Sequence, residues 1–361
     1  MKRPFWKALD KHIRLLILSA CATAFLSTPA LSAVILQYHH VSTTTPASTS
    51  ISPELFETHL DFIRQNGYSV WPLPKIIDHL KSSQALPDKI VAITFDDAYD
   101  SIYSVAYPLL KQRNMPFTVF VATQPLQQKL VSFMTWAQLR EMSKHGATIA
   151  NHTHSHAHLV RKQRGETEDA WQHRVSQEIT SAESILKENL DEVPKLLAYP
   201  YGEFTTEIQK IVTELGYSAF GQQSGPVGPG MPLTELPRFP MTNRFGAMDQ
   251  FRLKVASLPL AASSIAPSGR IIETDRNMQD LRDRLTINFH KSIPGITCFF
   301  AGNPVDSVQA DRKIVIESLP TLPVGRSRIN CTAPSSEKNR FYWFSHFWMK
   351  PHENGDWYEE Q

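Results

Sequence analysis

Net charge is nearly absent from this sequence. Its 361 residues contain 37 lysines and arginines against 35 aspartates and glutamates, which leaves a formal net charge of +2 at pH 7. Nucleic-acid-binding proteins usually concentrate positive charge, so the composition predicts no nucleic-acid partner, and nothing in it predicts a protein partner. Hydrophobic residues make up 42%, enough for a sizeable core. A chain of this length is expected to form one large domain and a smaller one.

An apolar run long enough to cross a membrane is missing near the N-terminus. Basic residues at positions 2–14 precede an apolar run at residues 15–25 and then small residues. This pattern predicts a signal peptide at residues 1–33 and an exported protein of the periplasm or cell envelope. A lipoprotein signal would instead lipidate Cys21, the single membrane attachment that we predict. An uncleaved anchor helix is a third interpretation, but the run is short of the ~20 residues that a spanning helix needs.

Cysteine is scarce, with three in the chain. After Cys21 there remain Cys298 and Cys331, an even pair in a compartment that permits disulfides. We expect these two to be bonded to each other, and two buried reduced thiols are the alternative.

Short apolar runs alternate with helical patterns from residue 33 to about residue 220. The segments between the runs favour crossover helices, and the runs themselves predict buried strands at residues 34–38, 89–95, 117–121 and 147–150. Polar residues follow the strands at their C-terminal ends, where a (β/α) barrel carries its functional groups. The expected fold is therefore α/β, with a barrel-like catalytic domain over residues 34–256.

The sequence pattern changes near residues 257–269, where small residues and prolines predict a linker. Beyond it, runs at residues 295–300, 313–317 and 340–349 predict strands without crossover helices. We expect a small β-rich C-terminal domain over residues 270–361, stabilised by the disulfide. Its aromatic run, which includes Trp343 and Trp348, could stack on sugar rings, although such a run is more often sheet core.

Two adjacent carboxylates, Asp96 and Asp97, directly follow the predicted strand that ends at Phe95. Adjacent side chains cannot both point the same way, so one can bind a cation while the other, held ionised beside it, acts as a general base. The alternative for such a pair is a helix N-cap by one aspartate with the other solvated.

Histidines are concentrated just beyond a later strand. His152, His154, His156 and His158 occupy alternate positions after the run at residues 147–150. Histidines in this spacing can converge on one ion, whereas the alternative is a solvated histidine loop. One aspartate and two histidines, with open positions for water, are typical of a catalytic rather than a structural metal site.

These motifs resemble a known family. Its first three signature motifs are similar to Thr94-Phe95-Asp96-Asp97, His152-Thr153-His154-Ser155-His156 and Leu197-Ala198-Tyr199-Pro200-Tyr201-Gly202. The family is that of the polysaccharide deacetylases, or NodB-homology proteins, and the resemblance runs from about residue 34 to residue 244. Tyr38-His39-His40 and the segment 236–240 look most like the branch of exported poly-N-acetylglucosamine deacetylases. The resemblance implies a distorted (β/α) barrel of the NodB type.

Carried over by motif, the resemblance implies that Asp97, His152 and His156 bind a divalent metal, with Zn²⁺ expected, and that Asp96 is the general base. Tyr201 matches the position whose backbone N–H binds the developing oxyanion. Pro200 and Tyr201 would line the sugar groove, while a purely structural role in a turn is their alternative.

The sequence departs from the family pattern at two places. The arginine that often begins the third motif is replaced by Ala198, and we expect Arg238 to supply the missing charge beside Asp96. The histidine acid of the last motif has no counterpart in the barrel region. We therefore assign the acid role to His39 at the end of the first strand, as the resemblance to the poly-N-acetylglucosamine deacetylase branch implies, with His40 as a competitor and a core histidine as the alternative.

The predicted function is metal-dependent hydrolysis of N-acetyl groups on a polysaccharide that contains N-acetylglucosamine. One alternative keeps the site but changes the substrate to peptidoglycan, chitin oligomers or O-acetyl esters. The other alternative is a catalytically impaired carbohydrate-binding protein.

Overall fold

The computed structural model describes residues 32–273 and 275–359. Apart from its last two positions, the predicted signal peptide lies outside the described residues, and so does Cys21. Within the described ranges, no helix combines the length and the apolar character that a membrane span requires.

The first region of the fold, residues 33–255, alternates strands and helices as the sequence predicts. Its strands are β1 (Ala33–Tyr38), β2 (His40–Val41), β3 (Ser50–Ile51), β4 (Ser69–Val70), β5 (Ile90–Phe95), β6 (Phe117–Val121), β7 (Ala147–Asn151), β8 (Leu196–Ala198), β9 (Ser218–Phe220) and β10 (Phe239–Pro240). Its α-helices are α1 (Pro53–Gln65), α2 (Leu73–Lys81), α3 (Tyr107–Gln112), α4 (Thr123–Gln127), α5 (Trp136–Lys144), α6 (Glu168–Asn189), α7 (Thr206–Glu214) and α8 (Met248–Val255). A π-helical turn, Ile102–Ala106, precedes α3, and a 3₁₀ turn, Pro200–Gly202, follows β8.

Eight of these strands form one curled parallel sheet in the order β10-β1-β5-β6-β7-β8-β9, with β4 added beside β5. Every residue of β5 is buried, as expected for a parallel strand that is covered on both faces. Alternate residues of β1 point to opposite faces: Val34, Leu36 and Tyr38 belong to one apolar cluster, while Ala33 and Ile35 belong to another. The α/β fold with a curled, barrel-like sheet is thus confirmed.

The second region is the β-rich unit, residues 258–350. Its elements are β11 (Leu258–Pro259), β12 (Ala262–Ala266), α9 (Asp275–Asp283), β13 (Leu285–Phe289), β14 (Thr297–Phe300), β15 (Asn303–Val305), β16 (Val308–Ala310), β17 (Lys313–Ile316), β18 (Gly325–Pro334) and β19 (Phe341–Lys350). They form a five-stranded sheet, β11-β19-β18-β14-β15, and a four-stranded sheet, β12-β13-β17-β16. One apolar core includes residues of both sheets, among them Ile287, Ile314 and Ile329.

Residues 257–269, which the sequence predicts to be a linker, instead contain two short strands. This segment supplies β11, which pairs with β19, and β12, which pairs with β13. Both are edge strands, and an edge position tolerates Pro259 because one side of the strand needs no ladder hydrogen bonds. The small residues and prolines therefore mark sheet edges and not a free connection.

Cys298 and Cys331 lie directly opposite each other on β14 and β18 and form a disulfide, as predicted. Trp348 is fully buried and belongs to the core of the β-rich unit. Trp343 packs edge-on against Phe239 of the parallel sheet, with ring centroids 5.4 Å apart. The aromatic run is therefore core and contact surface, and the sugar-platform interpretation is wrong for Trp348.

Candidate active site

Polar side chains from separate strands converge because the strands are parallel and end at the same edge of the sheet. Asp96 and Asp97 follow β5, His152 follows β7, and the 3₁₀ turn with Pro200 and Tyr201 follows β8. His39 follows β1. The predicted catalytic and metal-binding residues thus lie together, although they are up to 162 residues apart, from 39 to 201.

Asp97, His152 and His156 form a trio that could hold a metal ion, with their ligand atoms all within 4.8 Å of one another. The Nε2 atoms of His152 and His156 lie 3.3 Å and 3.2 Å from Oδ1 of Asp97. His154 and His158 stay outside the trio, as expected. His154 pairs instead with Thr123, Nδ1 to Oγ1 at 2.9 Å.

The donor set fits a divalent cation. Nδ1 of His152 lies 2.8 Å from the carbonyl oxygen of Ala198, and donation of its proton there leaves Nε2 as the ligand atom in a neutral ring. Two imidazoles and one carboxylate suit zinc and other first-row divalent metals. The observed geometry therefore supports a metal site at the predicted trio.

The backbone around the trio is unusual. Asp97, Thr153, His156 and Tyr201 all have positive φ values, of 72°, 68°, 59° and 58°. Non-glycine residues adopt this left-handed conformation at a cost, and such residues cluster at functional sites where the surrounding structure enforces them. Gly202 beside Tyr201 is required by space as well, because a Cβ there would lie 2.6 Å from the side chain of Gln222.

The pKa shifts of Asp97 and His156 favour the deprotonated forms that bind a cation. Burial alone would raise the pKa of Asp97, but the hydrogen bond from His152 and the nearby histidines hold that pKa well below its usual range. Burial lowers the pKa of His156 to about 4, so its ring is neutral at pH 7. Burial opposes the charged form of His152, yet the hydrogen bond to Asp97 raises its pKa, and a bound cation would replace that shared proton.

Asp96 is fully buried and is held by two side chains. Arg238, also fully buried, donates from Nη1 to Oδ1 at 2.7 Å and from Nη2 to Oδ2 at 2.8 Å. Gln37 donates to Oδ2 at 2.6 Å. Burial by itself would raise the pKa of Asp96, but the charge of Arg238 outweighs it and the pKa falls below its ordinary value. Arg238 thus supplies beside Asp96 the guanidinium that the family pattern expects at the position of Ala198.

His39 and His40 differ in their surroundings. Nε2 of His39 lies 4.0 Å from Oδ2 of Asp96, and its side chain keeps 16% exposure. His40 stacks on Tyr99, with ring centroids 3.7 Å apart, and burial lowers its pKa to about 4. His39 therefore reaches the buried carboxylate while remaining accessible from solvent.

Tyr201 contacts the metal-site trio through its ring. The ring lies edge-on to His156, with centroids 4.6 Å apart, and stacks on His158 at 3.6 Å. Pro200 is buried beneath this turn. The loop that carries Pro200 and Tyr201 thus forms one wall of the site.

Sequence reasoning missed Gln37 and Glu203, which support the site, and also Tyr358, the partner of Glu203. Gln37 lies inside β1, and nothing in the sequence except its position before Tyr38-His39 pointed to a role at the site. Glu203 is fully buried and accepts from His158 at 2.8 Å and from the hydroxyl of Tyr358 at 2.7 Å. An acid directly after the Pro200-Tyr201-Gly202 motif was a usable signal for Glu203, whereas its pairing with Tyr358 depends on the tertiary structure.

Comparisons with known proteins agree with this geometry. The family model described as polysaccharide deacetylase matches residues 83–220. A polysaccharide deacetylase candidate of Bacillus subtilis, YxkH, is 29% identical over 183 residues, covering 51% of this chain and 61% of that protein. The poly-beta-1,6-N-acetyl-D-glucosamine N-deacetylase of Staphylococcus aureus is 25% identical over 171 residues, covering 46% of this chain and 59% of that protein. The chain thus spans about three fifths of these curated relatives.

Solved structures share the fold. IcaB from Ammonifex degensii is 28% identical and has a TM-score of 0.55, covering 61% of this chain and 95% of that one. The Streptococcus pyogenes deacetylase PplD, in complex with acetate, is 24% identical with a TM-score of 0.54, covering 60% of this chain and 95% of that one. With its strand-end motifs inside or beside the matched segment, the chain contains a domain of the polysaccharide deacetylase family.

Proposed function

We propose that this protein is a metal-dependent deacetylase that hydrolyses N-acetyl groups on a polysaccharide containing N-acetylglucosamine. The observation that carries the proposal is the position of an ionised, buried carboxylate, Asp96, next to the Asp97, His152 and His156 trio. The deacetylase names of the relatives support the polysaccharide, and the donor set supports Zn²⁺. Export to the periplasm or cell envelope belongs to the same proposal and is supported by the N-terminal sequence pattern.

The trio would hold the cation, which when bound supplies Lewis acidity for an acetamide carbonyl and for an attacking water molecule. Asp96 accepts the proton of that water, and Arg238 with Gln37 fix the orientation of its carboxylate. His39 donates a proton to the departing amine, because an amide anion is too poor a leaving group to depart alone. The backbone N–H of Tyr201 would stabilise the developing oxyanion, and the ring of Tyr201 would border the sugar, while the buried Pro200 shapes the turn.

A catalytically impaired carbohydrate-binding protein is the competing class, because of Ala198 and the missing histidine of the last motif. The bidentate contact of Arg238 with Asp96 counts against the first reason, since it supplies an orienting charge from another segment. His39, 4.0 Å from Asp96, is the proposed replacement for the missing histidine. Residues 34–256 are proposed as the catalytic unit.

The test is acetate release from acetylated glucosamine oligomers by the purified mature protein, with and without chelator. We expect release that chelator abolishes, that added Zn²⁺ restores, and that Asp96→Asn removes. Asp100→Asn is the matched control, because it changes a nearby aspartate that hydrogen-bonds to Gln138 and not to the site. If the zinc-loaded protein released no acetate from any oligomer, the proposed function would be wrong.

A further inference from the structure

A cleft opens where the β-rich unit meets the wall of the candidate active site. Its volume is about 460 Å³. One side consists of residues after β8 and β9, including Tyr201 and Gln222, and the other side carries Arg326 and Arg328 of β18. Arg326 also donates a hydrogen bond to the backbone carbonyl of Tyr201. Because Tyr201 lines the cleft and its ring contacts His156, the cleft borders the candidate active site at Tyr201.

The cleft is positively charged. Arg326 and Arg328 are two positions apart on β18, so their side chains lie on the same face of the strand, and both residues are exposed. Among the described residues that line the cleft there is no aspartate and no glutamate. The positive charge of Arg328 extends beyond the cleft, because it contributes, after burial, to lowering the pKa of Lys254 to about 8.

Arg328 has only neutral protein partners. Its Nη1 donates to the hydroxyl of Ser224 at 3.2 Å and its Nη2 to the carbonyl of Gln222 at 3.4 Å. In the described part of the chain, no carboxylate forms an ion pair with it. Loss of hydration around the guanidinium, together with the charge of Arg326, lowers the pKa of Arg328 to about 10. The residue nevertheless keeps an exposed surface in the cleft, so an anion there could reach the guanidinium and offset the repulsion between the two arginines.

The geometry points to a subsite in this cleft for a carboxylate-bearing sugar of the N-acetylated polysaccharide, with Arg328 as the residue that recognises the carboxylate. A guanidinium presents a planar fork of donors that matches a carboxylate. A deacetylated amino sugar carries an ammonium group, which the arginines would repel, so the cleft discriminates against the product. That the ligand is an N-acetylated polysaccharide rests on the proposed function. That the bound sugar carries a negative charge rests on the cleft alone.

The test compares two oligomers of equal length with the same β-1,4 backbone. One is N-acetylglucosamine throughout, and the other alternates it with N-acetylmuramic acid, which adds only a lactyl ether carboxylate. Binding is measured by calorimetry on chelated wild-type protein, which cannot turn the oligomers over under the proposed mechanism. We expect the acidic oligomer to bind about fivefold more tightly, since a partly exposed ion pair contributes at most ~1 kcal/mol.

Two comparisons test the origin of that preference, one on the carboxylate of the ligand and one on the cleft. Methyl esterification of the lactyl group should abolish it without any change in the protein, and Arg328→Gln should abolish it without any change in the ligand. Arg312→Gln is the matched control, because Arg312 is an exposed arginine of the same unit that lines a different depression. A melting curve of each variant checks folding, and the ester comparison remains decisive if Arg328→Gln does not fold.

Equal affinity for the acid, its ester and the neutral oligomer would overturn the inference. So would a preference that survives Arg328→Gln, or one that Arg312→Gln removes equally, because the carboxylate would then be sensed elsewhere. Acetate release from the neutral oligomer by zinc-loaded protein is a separate readout. Its absence would count against the proposed function, while a carboxylate preference that depends on Arg328 would still establish the subsite.

Discussion

The parallel region and the β-rich unit of this protein differ in the charged side chains that they bury. Beneath the end of its sheet, the parallel region buries Asp96, Arg238, His152 and Glu203, all at 1% exposure or less. The core shared by the two sheets of the β-rich unit consists mainly of apolar side chains and the disulfide, and the buried polar residues described in this unit are His346 and Ser327. Buried charge costs free energy unless it is paired, and a fold retains it where chemistry needs it. The comparison thus supports placing the proposed chemistry in the parallel region, with a supporting role for the β-rich unit.

The two regions nevertheless meet at the site wall. Arg326 of the β-rich unit bonds to the carbonyl of Tyr201, and Tyr358, in the segment that follows β19, donates to the buried Glu203. Phe347 packs edge-on against Phe204, with ring centroids 5.2 Å apart. The apolar region therefore supports the loop from the outside, without a side chain in the metal-site trio.

The sharpest test of this division removes a metal ligand. His152→Ala is expected to abolish metal binding and to lower acetate release by at least about 1000-fold, because water activation and oxyanion stabilisation depend on the cation. Metal content by mass spectrometry and the rate of acetate release are the measurements. His154→Ala, a histidine of the same loop that pairs with Thr123, is the control and should retain both. Equal losses in the two variants would show that metal binding and acetate release depend on the integrity of the loop and not on the trio.

The second test concerns the cost of buried charge. Arg238→Met leaves Asp96 buried without its cation and is expected to lower the free energy of unfolding by about 3–5 kcal/mol. Arg113→Met is the matched control. Arg113 pairs with Glu57 and Asp61, whose side chains are 47% and 32% exposed, so the loss there should be about 1 kcal/mol or less. Urea denaturation measures both, and similar losses would contradict the contrast between buried and accessible carboxylates.

The third and smallest effect tests the β-rich unit. The double change Cys298→Ala with Cys331→Ala opens a loop whose ends are 33 residues apart and should lower the free energy of unfolding by about 2–4 kcal/mol. Below the unfolding temperature, the rate of acetate release should stay within about twofold of the wild-type rate, because the disulfide does not touch the site. A large loss of rate in the folded double variant would mean that the β-rich unit does more than support the site.

Much of the site was predictable because its signals are local. Asp96 and Asp97 directly follow a buried apolar run, and four histidines follow another, so strand ends were enough to group them. The family resemblance then selected His152 and His156 among the histidines. Arg238 required the resemblance, since only the absence of an arginine at Ala198 drew attention to it. Glu203 was missed because its partners, His158 and Tyr358, are 45 and 155 residues away. The linker was wrong because small residues and prolines fit an edge strand as well as a free segment.

What the sequence by itself determined was the alternation of strands and helices, the parallel sheet, the disulfide pair and the chemical identity of the metal-site trio. The first three follow from periodicity, composition and cysteine count, and the trio follows from short motifs whose resemblance to a known family selects Asp97, His152 and His156. The tertiary structure alone decided the bidentate contact of Arg238 with Asp96, the pairing of Tyr358 with Glu203 and the positive cleft beside Tyr201. Those features bring together atoms from distant segments, and the packing of whole sheets, which no local pattern encodes, sets the distances between them.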